Sequence, residues 1–297
     1  MTPAILTDNL SKTYGRTRAL DGLTIPVERG EIFGFLGPNG AGKTTTIRLL
    51  LDLIRSTSGS ARILGLDCQL QSTEVRGQVG YLPGDVRLYS DLSGRENVEY
   101  ICNLRSREVD MRAVESLAER LQLSLDHPVS AYSKGNRQKL ALLLALLDQP
   151  RVLLLDEPTS GLDPLMQQVV WDILREATAN GATIFFSSHV MQEVEEICER
   201  VGILRSGRLV AVEPIAALKG RTLRRIEVTF ALEPPRAAFA IPDVREVARR
   251  HNTIVFEITG NLDAAVKAIA TFPVLDLRTE QPSLEEILLT YYREAQA

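Results

Sequence analysis

Gly37-Pro38-Asn39-Gly40-Ala41-Gly42-Lys43-Thr44 fits the pattern G-x-x-x-x-G-K-[ST], between an apolar run (Ile32, Phe33, Phe35, Leu36) and a helix-like segment opening near Lys43. Its glycines let the backbone wrap an anion, so that successive amide N–H groups point inward at a phosphate. The spacing brings Lys43 to the β- and γ-phosphates and offers the Thr44 hydroxyl to Mg²⁺, with the positive end of a helix dipole behind both. A strand before and a helix after are the context such a loop needs. These residues predict a nucleoside triphosphate site.

The 297 residues give room for one large domain and a small one, and a hydrophobic content of 44% supports a real core. A net charge of -4 argues against a nucleic-acid binder, which shows a basic surplus. The longest apolar run, Leu140 to Leu147, is too short to span a bilayer. Met1-Thr2-Pro3-Ala4-Ile5 has no basic region followed by an apolar stretch, so no signal peptide is predicted. Cys68, Cys102 and Cys198 lie at no metal-like spacing and read as reduced, buried thiols. A cytoplasmic protein is expected.

Short β-like runs (Ala4 to Leu6, Leu23 to Val27, Ile32 to Leu36) precede the loop, and Pro26 marks an edge or irregular strand. The helix after the loop is predicted to run to about Ile54, where Ser56-Thr57-Ser58-Gly59-Ser60 breaks it. Strands are expected at Ala61 to Leu64 and Val79 to Leu82, then helices near 94–105, 109–123 and 134–148. Asp91 and Ser93 are N-cap candidates, with Glu96 at the capping-box position. Val152-Leu153-Leu154-Leu155 and Thr183-Ile184-Phe185-Phe186 are buried-strand runs joined by a helix near 164–179. That βαβ unit implies a parallel sheet with both faces covered. Ile203-Leu204 and Arg208 to Ala211 read as a hairpin around Ser206-Gly207. After Glu213-Pro214 the pattern changes to a small α/β appendage, with strands at Ile226 to Phe230, Thr253 to Ile258 and Val274 to Leu277 and helices at Leu262 to Thr271 and Ser283 to Tyr292.

Asp156-Glu157 ends an apolar strand roughly 110 residues after the phosphate loop. In that setting Asp156 is a candidate to hold Mg²⁺ through water, and Glu157 to polarise a water beside the γ-phosphate.

Asp156-Glu157-Pro158-Thr159-Ser160-Gly161-Leu162-Asp163-Pro164 resembles the joined Walker B motif and D-loop of ATP-binding-cassette (ABC) ATPases. Ser187-Ser188-His189 is similar to their switch histidine, Tyr132-Ser133-Lys134-Gly135-Asn136-Arg137-Gln138-Lys139 resembles their signature sequence, and Tyr14 matches the aromatic that stacks on adenine. The likeness runs from residue 4 to about 213. It implies an α/β fold, the P-loop NTPase ABC-type nucleotide-binding domain, with a mixed-sheet core, an antiparallel β subdomain and a helical subdomain at about 86–149. The expected division is 1–213 for that domain, 214–223 for a linker and 224–297 for a small C-terminal α/β domain.

By the same resemblance Glu157 and His189 are catalytic. Tyr14, Gly37, Pro38, Asn39, Gly40, Ala41, Gly42, Lys43, Thr44 and Thr45 bind ATP, while Thr44 and Asp156 serve Mg²⁺. Ser133, Lys134, Gly135, Asn136 and Asp163 meet a nucleotide held by another subunit. The implied assembly is a head-to-tail homodimer, or a heterodimer with a similar subunit, driving separate transmembrane permease subunits at the inner face of the membrane. Tyr81-Leu82-Pro83, Tyr132 to Gly135 and the tail Glu280 to Leu289 resemble the multidrug and bacteriocin-export branch. Competing readings are a soluble ABC ATPase acting on nucleic acid or ribosomes, disfavoured by the acidic balance, and a weakly hydrolysing nucleotide-gated regulator. Two departures stand out. Gly84 occupies the place of the usual glutamine or glutamate, leaving Asp85 as a neighbouring oxygen source, and Lys134 and Asn136 replace a glycine and a glutamine of the signature.

Overall fold

The computed structural model describes residues 2–105, 110–220, 224–239, 241–258 and 262–280. Contacts divide the chain into two compact units, 1–213 and 214–297.

The first unit opens with a long hairpin, Ile5–Tyr14 (β1) and Thr17–Val27 (β2), followed by Ile32–Leu36 (β3) and the helix Lys43–Leu50 (α1). Ser58–Ile63 (β4), Leu66–Asp67 (β5), Ser72–Gly77 (α2) and Val79–Leu82 (β6) come next. A helical stretch holds Gly94–Leu104 (α3), Met111–Arg120 (α4) and Lys134–Leu146 (α5). The unit closes with Val152–Asp156 (β7), Pro164–Ala179 (α6), Thr183–Ser188 (β8), Met191–Ile197 (α7), Arg200–Arg205 (β9) and Arg208–Pro214 (β10).

Two sheets form. One is antiparallel, ordered β2-β1-β4-β5, and Pro26 lies on its edge strand, where a missing N–H breaks no ladder. The other is ordered β10-β9-β3-β8-β7-β6, with β6, β7, β8, β3 and β9 mutually parallel. Every residue of β7 is buried, its four apolar residues Val152 to Leu155 as a strand covered on both faces requires. Phe33 and Phe35 of β3 and Phe185 of β8 pack into one core with Ile47 and Leu50 of α1 and with Ile5, Leu23 and Ile63 of the antiparallel sheet. The phosphate-loop helix is thus clamped between the sheets. On the opposite face of β3, a β-carbon on Gly34 would lie 2.6 Å from Val194 Cγ1, so glycine lets α7 sit directly on the strand.

Several boundaries differ from expectation. α1 stops at Leu50 rather than near Ile54, because Asp52 turns left-handed (φ 54°) and Ser58 to Ser60, expected as a breaker, pair with β1. Ser93, not Asp91, caps α3, with the full capping box: its Oγ accepts from Glu96 N–H (3.2 Å) and Glu96 Oε2 accepts from Ser93 N–H (2.7 Å). α2 and α7 are too short to print a helical period and were not expected.

In the second unit Ile215–Gly220 (α8) is helical where a plain connection was expected. Arg224–Phe230 (β11), Val244–Arg250 (β12), Thr253–Ile258 (β13), Leu262–Ile269 (α9) and Val274–Glu280 (β14) follow, and the strands make an antiparallel sheet ordered β12-β13-β11-β14. Ile226, Val228, Phe230, Ile254, Phe256 and Ile258 share its buried face with Phe239, Ala265 and Ile269. β12 escaped prediction because charged residues interrupt its alternation. The anticipated helix Ser283 to Tyr292 lies outside the described residues, as does nearly all of the tail likeness. Among the described residues no helix is long and apolar enough to cross a membrane.

Candidate functional site

Neighbouring parallel strands deliver their carboxyl ends to one crevice, the usual location of a ligand site in such sheets. β3 leads into the phosphate loop, β7 into Asp156-Glu157, and β8 into Ser187-Ser188-His189. Gly40 and Gly42 take positive φ (79° and 115°), curling the loop over the start of α1. Lys43, 6% exposed, reaches back into that curl and donates to the carbonyls of Gly37 (2.6 Å) and Pro38 (3.3 Å). Burial lowers its ammonium pKa, against the opposing pull of Glu157 and Asp156.

The acidic turn meets this loop directly. Thr44 Oγ1 donates to Asp156 Oδ2 at 2.7 Å, and Ser187 Oγ donates to Asp156 Oδ1 at 2.5 Å. Glu157, in left-handed backbone (φ 51°), places Oε1 4.0 Å from Lys43 Nζ and 2.8 Å from His189 Nδ1. A cleft of about 570 Å³ opens beside them, lined by Thr44, Arg48, Gly84, Asp85, Arg87, Asp156 and Glu157 among others. Thr44 and Asp156 form a set of hard oxygen donors with open space alongside, which fits Mg²⁺ and its retained waters. Asp85 lines the cleft too, but its exposed carboxylate is engaged by Arg87 (3.0 Å).

The signature residues sit elsewhere on the same unit. Ser133 caps α5, its Oγ accepting from Asn136 N–H at 3.1 Å, and Asp163 caps α6, accepting from Met166 N–H at 3.0 Å. Lys134 is exposed; its Nζ lies 3.2 Å from Ser160 Oγ and its stem runs beside Gly161. Tyr14, expected beside the nucleotide, ends β1 half-exposed, with Lys12 Nζ 4.9 Å from its ring centre. The structure therefore gathers Lys43, Thr44, Asp156, Glu157 and His189, and leaves Ser133 to Asn136 and Tyr14 outside that cluster of side-chain contacts.

Three supporting groups were missed. Ser187 holds Asp156, as described above. Gln138, 4% exposed on α5, donates to the carbonyls of Glu157 and Pro158 (3.1 Å each). Glu193 of α7, also buried, accepts from Thr159 Oγ1 and Ser188 Oγ. The only clue in the sequence is their polarity at positions that a core helix or strand end gives to apolar residues.

A family model described as "ABC transporter" matches residues 20–160. The chain is 33% identical over 303 residues to the daunorubicin resistance ATP-binding protein DrrA2 of Streptomyces coeruleorubidus, covering 96% of this chain and 94% of that one. It is 36% identical over 236 residues to the bacitracin transport ATP-binding protein BcrA of Bacillus licheniformis, covering 76% and 75%. Among solved structures, a dimeric post-hydrolysis state of the ATP-binding cassette MJ0796, bound to ADP and Pi, superposes with a TM-score of 0.65 at 25% identity, over 71% of this chain and 98% of that one. With its phosphate loop, acidic turn and His189 in one crevice and a relative 33% identical over 96% of its length, the chain belongs to the ABC transporter ATP-binding family and is an ATPase.

Proposed function

We propose that this chain is the ATP-binding and ATP-hydrolysing subunit of a bacterial exporter. Two copies, or one copy and a similar subunit, close head to tail around two Mg-ATP and drive a separate permease at the inner face of the cell membrane. The observation that carries this reading is the contact of Glu157 with His189 beside the Thr44–Asp156 pair, at the mouth of an open cleft. The cargo in this reading is a drug, antibiotic, peptide or lipid; the names of two matched relatives, one for daunorubicin resistance and one for bacitracin transport, support the drug and antibiotic classes.

In this reading residues 37–45 cradle the triphosphate through backbone amides, and Lys43 moves from the loop carbonyls to the β- and γ-phosphates. Tyr14 stacks on adenine. Thr44, and Asp156 through water, would hold Mg²⁺, which would supply positive charge beside the phosphate oxygens. Water attacks the γ-phosphorus as its bond to the bridging oxygen breaks. Glu157 takes the proton released by that water, and His189 donates to a γ-phosphate oxygen. Ser133, Lys134, Gly135, Asn136 and Asp163 complete the partner's nucleotide site, with the dipole of α5 aimed at the phosphate. The nucleotide-binding domain is assigned to 1–213, with its helical part at 86–149, a linker to 214–223 and the small domain to 224–297.

Glu157→Gln tests the reading. The variant should bind Mg-ATP as the parent does, lose turnover at least ~100-fold, and elute as a stable dimer only with ATP. A variant that stays monomeric with the permease supplied, or that hydrolyses normally, overturns it. ATP-dependent dimers of the parent with no turnover in any setting would favour the nucleotide-gated regulator.

A further inference from the structure

Beneath the crevice, one carboxylate outside the recognised motifs ties the acidic turn to the switch strand. Glu193 Oε1 accepts from Thr159 Oγ1 at 2.6 Å, and Oε2 accepts from Ser188 Oγ at 2.6 Å. Thr159 and Ser188 are each 1% exposed and Glu193 is 9% exposed. O–H···O distances this short belong to charge-assisted bonds, roughly twice as strong as neutral ones.

The positions of the two donors matter more than their strength. Thr159 lies two residues past Glu157, in a turn closed by Ser160 N–H donating to the Glu157 carbonyl (3.1 Å) and held from α5 by Gln138. Ser188 immediately precedes His189, and its Oγ also accepts from Val190 N–H at 2.9 Å. One side chain therefore grips the neighbours of both members of the Glu157–His189 contact. α7, which carries it, has its own fixed seat on β3 over Gly34.

Stability gives no reason for a carboxylate here. Burying one is costly, and apolar groups of similar volume serve a core at least as well. What the carboxylate supplies is a defined distance between two loops that have to act together. We propose that Glu193 is a positioning residue for ATP hydrolysis, holding Glu157 and His189 in register so that both meet the γ-phosphate at once. The proposal rests on the ATPase reading above and adds a residue to it.

The test uses the full chain with Glu193→Ala, Glu193→Gln and His189→Ala, and the Glu193→Ala/His189→Ala double variant. Glu193→Ala should lower kcat by about 10- to 100-fold, as misplacement of a reacting group does, with KM for ATP within about threefold. Glu193→Gln keeps the shape and one acceptor and should lose less than Glu193→Ala. In the His189→Ala background, removing Glu193 should change kcat less than about threefold further, because residues acting as a unit are not additive. The ¹⁵N signals of the His189 ring should lose the signature of the Nδ1 bond in Glu193→Ala, with His127 and His251 unmoved. Parental kcat in Glu193→Ala, losses that multiply in the double variant, or an unchanged His189 signal would each overturn the proposal. So would a collapse of ATP affinity or of cooperative unfolding in Glu193→Gln, since that marks a purely structural role. Turnover by the parent protein, measured alongside, tests the ATPase reading separately, and the ring signal decides the role of Glu193 in either case.

Discussion

Gly84 lies against Asp156 so closely that a β-carbon there would stand 3.1 Å from Asp156 Oδ2 and 3.3 Å from its Cγ. Relatives of this fold were expected to place a longer side chain at this point. Here the carboxylate cannot yield easily, because Thr44 and Ser187 hold its two oxygens from the other side. Glycine at 84 and the observed pose of Asp156 are therefore one arrangement.

Gly84→Ala should displace the carboxylate by a few tenths of an ångström and weaken the Thr44 bond. On the proposed roles, the Mg²⁺ concentration for half-maximal ATPase activity should rise several-fold, while thermal stability changes by no more than about 1 kcal/mol. An unchanged Mg²⁺ dependence would mean that Asp156 adjusts without consequence.

Lys43 carries a stability cost that follows from its pKa. Its folded-state value lies below the usual 10.5 because of burial, so the unfolded chain holds the proton more readily. The penalty is present at neutral pH and is relieved as pH rises from the folded value toward the unfolded one. Lys43→Met removes both the charge and two bonds to loop carbonyls, each worth about 1 kcal/mol. Nucleotide-free Lys43→Met should therefore melt within a few degrees of the parent at pH 7, lose its relative standing in alkaline buffer, and bind ATP at least ~100-fold more weakly. Melting far below the parent at pH 7 would show that the bonds outweigh the buried charge.

The three cysteines are buried and free. Burial, then Asp67 and Asp52, push the Cys68 thiol up to about 12, and burial likewise raises Cys102 and Cys198. Only the thiolate attacks a disulfide reagent. At pH 8 the native protein should release almost no chromophore from a thiol-reactive disulfide over minutes, and all three thiols should react in guanidinium. Rapid native labelling of any one would contradict the packing around it.

The strongest local patterns carried through. The run at 152–156 ends in its acids, the helix expected near 164–179 spans Pro164–Ala179, and Ser93 with Glu96 makes the anticipated cap. These are short-range matters, settled by apolar runs, caps and turn residues within a few positions of one another. Elements of six or seven residues, such as α2 and α7, leave no periodic trace. For the same reason the role of Glu193 could not be read from its surroundings in the chain.

By itself the sequence determined the kind of chemistry: a loop shaped for phosphate, a strand ending in two acids, a histidine after the next strand. Only the tertiary structure decided their company. Thr44 meets Asp156 across 112 positions, Glu157 meets His189 across 32, and Glu193 joins Thr159 to Ser188. Those distances are set by the parallel register of β3, β8 and β7, which the packing of both sheet faces fixes and no nearby residue encodes.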